Sequence, residues 1–318
     1  MAVAKLPAPR TAPSPQPARG HAWRALLGDS LLFAVPGLVL IFALIVFPAI
    51  QTVYLSFFAA DGTFVGLDQF TAILTDRDTL NLDRFPDRSP PWGSLIHNAI
   101  WIVVHLPLSI LVGLLLAVLL QHARGAAILK SIIFLGMVTP MIIGGVLIRF
   151  LFDETSGIVN AALRAFGLES WARTWTAYPD TALPALILGS VWLWSGFAML
   201  LYSAGLATIP RDYYEAAQVD GAGPLQQFLH ITVPSLRPVT AVIVAMTILW
   251  ELRIFDLVYT ATLGGPGGAT MVLALQMYLY GFRALDFNKA AAVATILSFF
   301  TLLVGLWFVR NQRREEAG

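Results

Sequence analysis

Six stretches of this sequence contain no Asp, Glu, Lys or Arg: residues 30–60, 89–123, 131–148, 181–210, 238–250 and 290–309. At 1.5 Å rise per residue, about 20 apolar residues cross a ~30 Å hydrocarbon layer. Backbone N–H and C=O groups have no water partner there, so a chain of this kind folds as helices. The runs predict six transmembrane helices at about 31–58, 95–120, 129–152, 183–207, 236–258 and 289–309. The fifth run is short and continues as an apolar helix interrupted by Glu251. Residues 257–282 are also uncharged, but Gly264-Gly265-Pro266-Gly267-Gly268 at their middle breaks a helix. We read them as a loop dipping into the protein, because irregular backbone survives at membrane depth only where protein covers it. The fold class is therefore all-α: a polytopic membrane protein held in the lipid bilayer.

Only 12% of the 318 residues are charged and 57% are hydrophobic, against about 25% charged in soluble domains. A net charge of +1 gives no general attraction to nucleic acid. No Cys is present, so disulfides and thiolate metal sites are excluded. The phosphate-loop, nucleophile-elbow and His-Glu-x-x-His patterns are absent. His97 and His105 stand eight apart on the second span without further ligands. Neither a metal site nor a catalytic residue is expected. Lys5, Arg10, Arg19 and Arg24 precede the first span, Arg124 and Lys130 follow the second, and Arg310, Arg313 and Arg314 close the chain. Residues 61–88 hold six Asp and three Arg. The positive-inside rule then places both termini in the cytoplasm and 61–88 outside. Residues 1–28, rich in Pro and Ala, read as a disordered cytoplasmic tail. Residues 29–310 form the membrane domain, and 311–318 are a second cytoplasmic tail. The first span is too long for a signal peptide and is expected to stay as an anchor.

Residues 208–235, between the fourth and fifth spans, read as a compact helical hairpin rather than a simple connector. Pro210 and Asp212 suit a first helical turn. Gly221 can take the left-handed position that ends the first helix, and Pro224 can open the second. Ala216 and Ala217 make a small-sided patch beside Glu215, which a partner can approach closely.

Glu215-Ala216-Ala217, three residues, Gly221, nine residues and Ile231-x-Val233-Pro234 resemble the EAA loop of ATP-binding-cassette importer permeases. Val233 stands where that pattern usually has Leu. The resemblance implies a type I importer permease core whose hairpin inserts into an ATPase subunit, with Tyr214, Glu215, Ala216, Ala217, Asp220 and Gly221 at the contact. It implies that ATP and Mg are bound by that partner and no cofactor by this chain. Phe255-Asp256, Thr262-Leu263-Gly264-Gly265-Pro266 with Thr270, and Ser156-Gly157-Ile158-Val159-Asn160 resemble the carbohydrate branch, the maltose and glycerol-3-phosphate permeases. There the chain is similar to the first of two permease subunits, without that type's large outside domain. The implied assembly is a heterodimer with a second permease, two ATPases and an extracytoplasmic solute-binding protein. It would sit in the inner membrane of a prokaryote.

In that branch the solute lodges midway through the membrane. The matching positions here are Met137, Met141, Ser190, Trp194, Phe197, Thr247 and Glu251. The residues themselves agree in part. An intramembrane carboxylate costs roughly 2.5–3.5 kcal/mol on insertion scales and is functional by default. Arg253 and Asp256 are spaced to pair on one helical face, which leaves Glu251 without a partner on its own helix. Trp192 and Trp194 point to opposite sides, so at most one lines the path. The expected function is a pore subunit, not an enzyme, importing a sugar or sugar-like solute by alternating access. An ion-coupled secondary transporter, or an importer permease for a non-sugar solute, is the alternative. No pair of His and acid at membrane depth stands out as a catalytic pair.

Overall fold

The computed structural model describes residues 34–121 and 123–316. The tail expected over 1–28 lies outside the described residues. Two compact units divide the chain, residues 1–51 and 52–318. The described part of the first, residues 34–51, belongs to helix α1 (Ala34–Leu55), which is long and apolar enough to cross a membrane. A π turn interrupts it at Phe42–Val46.

The second unit is helical, with one isolated β-bridge, Phe58 to Phe64, among its described residues. Its helices are α2 (Asp68–Thr75), α3 (Ser94–Leu119), α4 (Ala126–Val138), α5 (Met141–Leu151), α6 (Ile158–Ala165) and α7 (Pro179–Thr208). They continue as α8 (Arg211–Val219), α9 (Pro224–Ser235), α10 (Arg237–Leu252), α11 (Asp256–Thr262), α12 (Leu273–Tyr278) and α13 (Phe287–Glu316). Among the described residues α1, α3, α7 and α13 are unbroken candidate spans; α4 with α5 and α9 with α10 are bent pairs that bring the number to six if each crosses once. Helix α13 runs on through Glu316, into the segment expected as a tail.

Helix α7 is the centre of the unit. It packs on α3, α4, α5 and α10, and small residues set the approach. A Cβ on Gly113 of α3 would lie 2.4 Å from the Ala198 Cβ of α7, and one on Gly136 of α4 would lie 3.0 Å from the Trp192 carbonyl. Membrane helices have no hydrophobic drive toward one another, so close backbone packing of this kind holds them.

Two expected spans are broken. The third bends by 104° between α4 and α5. Pro140 keeps Thr139 extended (φ −65°, ψ 124°), which a helix cannot continue through. The fifth ends at Leu252, and residues 253–255 turn before α11 starts. The predicted Arg253–Asp256 pair therefore does not form: Arg253 Nε donates to the Leu249 carbonyl instead (2.9 Å). The segment 257–282 is not one loop. It holds α11, a glycine turn in which Gly264, Gly267 and Gly268 have positive φ, and α12.

The groups freed at the end of α10 and around the glycine turn are met by side chains of α3. Asn98 Nδ2 donates to the Glu251 carbonyl (3.0 Å), and Asn98 Oδ1 accepts from Leu273 N–H (2.9 Å). His97 Nδ1 donates to the Met271 carbonyl (2.8 Å) while its Nε2 accepts from Trp92 N–H (3.1 Å). Beyond the glycine turn, Gln276 bonds Ser94 and Thr79. At the end of α7 opposite the hairpin, buried Asn160 donates to the Phe152, Asp153 and Arg173 carbonyls and accepts from Trp175 Nε1.

Candidate functional site

The hairpin α8–α9 is built as its residues dictate. Pro210 precedes α8, and Gly221 follows its last turn at φ +82°. Gly221 N–H donates to the Gln218 carbonyl (3.0 Å) and Ala222 N–H to the Ala217 carbonyl (2.8 Å). This paired closure, with a left-handed glycine, is the Schellman motif. Gln226 Oε1 accepts from Gly223 N–H (2.9 Å) to start α9, and Tyr214 OH joins Thr232 Oγ1 (2.9 Å) to tie the helices together. Glu215, Ala216, Asp220 and Gly221 are exposed, with Ala217 half-buried. Ala217, Asp220, Gly221, Gln227, His230 and Ile231 line a notch of about 340 Å³. Val219 is 88% exposed and Leu225 70%. Both apolar side chains are left open to the outside on a tightly closed hairpin.

Inside the helical unit, one cluster joins α3, α7 and α10. Trp194 Nε1 donates to Thr247 Oγ1 (2.8 Å). The Trp194 ring stacks on Trp250 (4.8 Å between centroids), Trp250 lies 5.3 Å from the His105 ring, and Phe197 lies 5.1 Å from Trp194. Glu251 and His105 are both fully buried, with Oε1 and Nδ1 2.6 Å apart. Glu251, read as lacking a partner on its own helix, meets one elsewhere in the chain, and a His and an acid that did not stand out as a pair do come together. The partner comes from another helix, 146 residues earlier in the chain. Beside the cluster, Met141, Trp250, Arg253, Phe255 and Asp256 line a cavity of about 240 Å³ at the α10–α11 break.

Of the seven interior positions marked in the sequence, Trp194, Phe197, Thr247 and Glu251 gather in or around this cluster. Met141 opens onto the adjoining cavity, and the 104° bend separates it from half-buried Met137. Ser190 is buried with its hydroxyl turned back to the Ile187 carbonyl (2.7 Å). Trp192 is 43% exposed, on the face of α7 opposite Trp194. The sequence reading missed His105, Trp250 and Asn98. A histidine within an uncharged run was a usable signal; its pairing across helices was not.

The family model described as "binding-protein-dependent transport system inner membrane component" matches residues 109–316. The chain belongs to this family. A probable ABC transporter permease of Pyrococcus horikoshii is 54% identical over 282 residues, covering 88% of this chain and 97% of that protein. A trehalose/maltose transport system permease of Thermococcus litoralis is 30% identical over 278 residues, covering 86% and 89%. Among solved structures, a bacterial ABC transporter for import of the acidic polysaccharide alginate superposes with a TM-score of 0.72. It covers 92% of this chain and 99% of that one at 21% identity, and it establishes the shared fold. The permease is thus an integral membrane subunit of an ABC importer. It is not an enzyme, and ATP hydrolysis belongs to a separate subunit.

Proposed function

We propose that this permease imports a sugar or sugar-like solute. Its assembly would be a heterodimer with a second permease, two ATPases that bind ATP and Mg, and an extracytoplasmic solute-binding protein. The observation that carries the reading is the continuity from α8–α9 into α10. The hairpin that meets the ATPase leads directly into the helix bearing Thr247, Trp250 and Glu251. Tyr214, Glu215, Ala216, Ala217, Asp220 and Gly221 form the ATPase contact. Closure of the ATPases tilts the hairpin, and the helices pass from inward-open to outward-open as rigid bodies. Met137, Met141, Ser190, Trp194, Phe197, Thr247 and Glu251, with Trp250 added, face the solute path once it opens. The stacked indoles support a sugar, whose C–H faces pack on aromatic rings. Relatives named as a trehalose/maltose permease and an alpha-glucoside permease support the same class. Both termini are cytoplasmic, in the inner membrane of a prokaryote.

The test is the reconstituted importer with its binding protein. Neutral oligosaccharides should stimulate ATP hydrolysis and be taken up, and Trp194→Ala should raise the solute concentration needed. Stimulation by amino acids or glycerol phosphates alone would reject the sugar reading and leave the importer intact.

A further inference from the structure

Helices α3 and α10 meet at a buried pair of ionisable side chains, His105 and Glu251, whose protons can be counted. Nδ1 and Oε1 lie 2.6 Å apart with both side chains fully buried. Two lone pairs cannot approach so closely, so a proton lies between them. Ser109 Oγ lies 3.3 Å from Nε2 and can donate or accept there. A neutral imidazole beside a carboxylate would leave the pair negative; one proton more brings its net charge to zero.

The surroundings decide between these two counts, in favour of the neutral pair. The second carboxyl oxygen, Oε2, is buried without a partner, a poor setting for a full negative charge. No cation faces it among the described residues. On α3 the other ionisable side chain is His97, engaged by Met271 and Trp92. On α10 it is Arg237 at the far end. Beyond α10, Arg253 is exposed and bonded to Leu249. Helix α7 offers Tyr202, bonded to Thr240, and Asp180 in its first turn, paired with Arg173. Asp256 opens α11 and is exposed. On α13, which also packs on α10, Lys289 lies against Asp76 and the Tyr280 ring and Arg310 is exposed toward the other end; Trp194, Trp250 and Thr247 bring no charge.

We propose that His105 and Glu251 form a proton-binding site of this permease, occupied while α3 and α10 are packed and emptied to water when they part during the cycle. The proton is exchanged with solvent and no other bond changes. Acid then favours the packed arrangement and alkali the parted one, whatever the solute. The inference uses the movement of helices in an importer but not the sugar reading.

The absence of Cys makes the test direct. Spin labels on cysteines introduced at Val103 of α3 and Met246 of α10, both exposed, report the distance between the helices in the reconstituted importer. Raising pH should shift the population of the otherwise unsubstituted protein toward longer distances. Glu251→Gln, which mimics the protonated carboxyl, should abolish that shift while distances still respond to ATP. An unchanged pH response in Glu251→Gln, or none in the unsubstituted protein, overturns the proposal. A distance that ignores ATP as well would instead count against the alternating-access reading. If Glu251→Gln fails to assemble, proton release on trapping with a non-hydrolysable ATP analogue is measured with a pH dye. His105→Gln should release one proton fewer per permease than the unsubstituted protein, and equal release overturns the site.

Discussion

Asn98→Leu tests whether one side chain holds the broken helices together. Asn98 is 2% exposed and spans two breaks, donating to the last-turn carbonyl of Glu251 at 3.0 Å and accepting from Leu273 N–H at 2.9 Å. Leucine has the same branched set of heavy atoms, slightly bulkier and wholly apolar, and removes both bonds. Each backbone group left buried and unpartnered costs about 1–3 kcal/mol. Side-chain hydrogen bonds within membranes average only ~0.6 kcal/mol, because the unfolded chain also finds partners there. The Glu251 carbonyl retains a long bond from Ile254 N–H (3.4 Å), which lowers its share. The expected loss is about 2–4 kcal/mol, a thirtyfold to several-hundredfold change in the unfolding equilibrium. Reversible unfolding of the purified permease in mixed detergent micelles measures it. Val103→Ala on the same helix, 71% exposed, serves as control and should change little. If Asn98→Leu unfolds at the same denaturant fraction with the same slope, the breaks are held by packing alone and the account of Asn98 is wrong.

Gly221→Val should sharply reduce transport and ATPase attachment, because φ +82° is strongly disfavoured for a β-branched residue although no atom lies within 4 Å of an added Cβ. Gly221→Asn, which tolerates that conformation better, should retain more of both, and equal loss in the two variants would show that space rather than φ matters. Glu215→Lys places the wrong charge at the same face and should lower coupled ATP hydrolysis, read in the reconstituted complex. A reporter active only in the cytoplasm should work when fused after Arg314 and fail when inserted near Asp83; the reverse pattern would put the hairpin on the wrong side for an ATPase. Asp153 Oδ1 accepts from the N–H and hydroxyl groups of both Thr155 and Ser156, which holds its carboxyl well below the usual carboxylate range. Its support of that turn is therefore complete above about pH 4 and lost as pH falls further. Asp153→Ala should remove this acid dependence from hydrogen exchange at the Thr155 and Ser156 amides.

The spans and the hairpin were legible because each rests on local pattern. Charge-free runs gave most helix ends to within a few residues, though not the C-terminal ends of α10 and α13, and Pro210, Gly221 and Pro224 marked the ends of α8 and the start of α9. The breaks were only partly legible. Pro140 is a local stop, but it lies inside a charge-free run (131–148) long enough to suggest one unbroken span. The end of α10 carries no Pro or Gly at residues 251–255; it is made tolerable by Asn98, a residue of a helix far away in sequence. The Glu251–His105 contact was hidden for the same reason. Local spacing says which residues share a face of one helix, and it is silent on which faces meet.

Between α9 and α10 the chain turns by 63° at a single residue, Leu236, which is 1% exposed. Leu236 seats against Gly205 of α7, where an added Cβ would come within 2.8 Å of its side chain. A buried point of this kind acts as a fulcrum. Force applied to the hairpin cannot slide the fifth span along its axis without lifting Leu236 from its seat, but it can swing it. The lever has a short arm, α9, and a longer one, α10, so a small displacement of the hairpin is magnified at Trp250 and Glu251. A chimaera that borrows the hairpin of another permease should therefore be joined before Leu236, or carry Gly205 and its neighbours with it. A fulcrum moved without its seat changes the ratio of the arms.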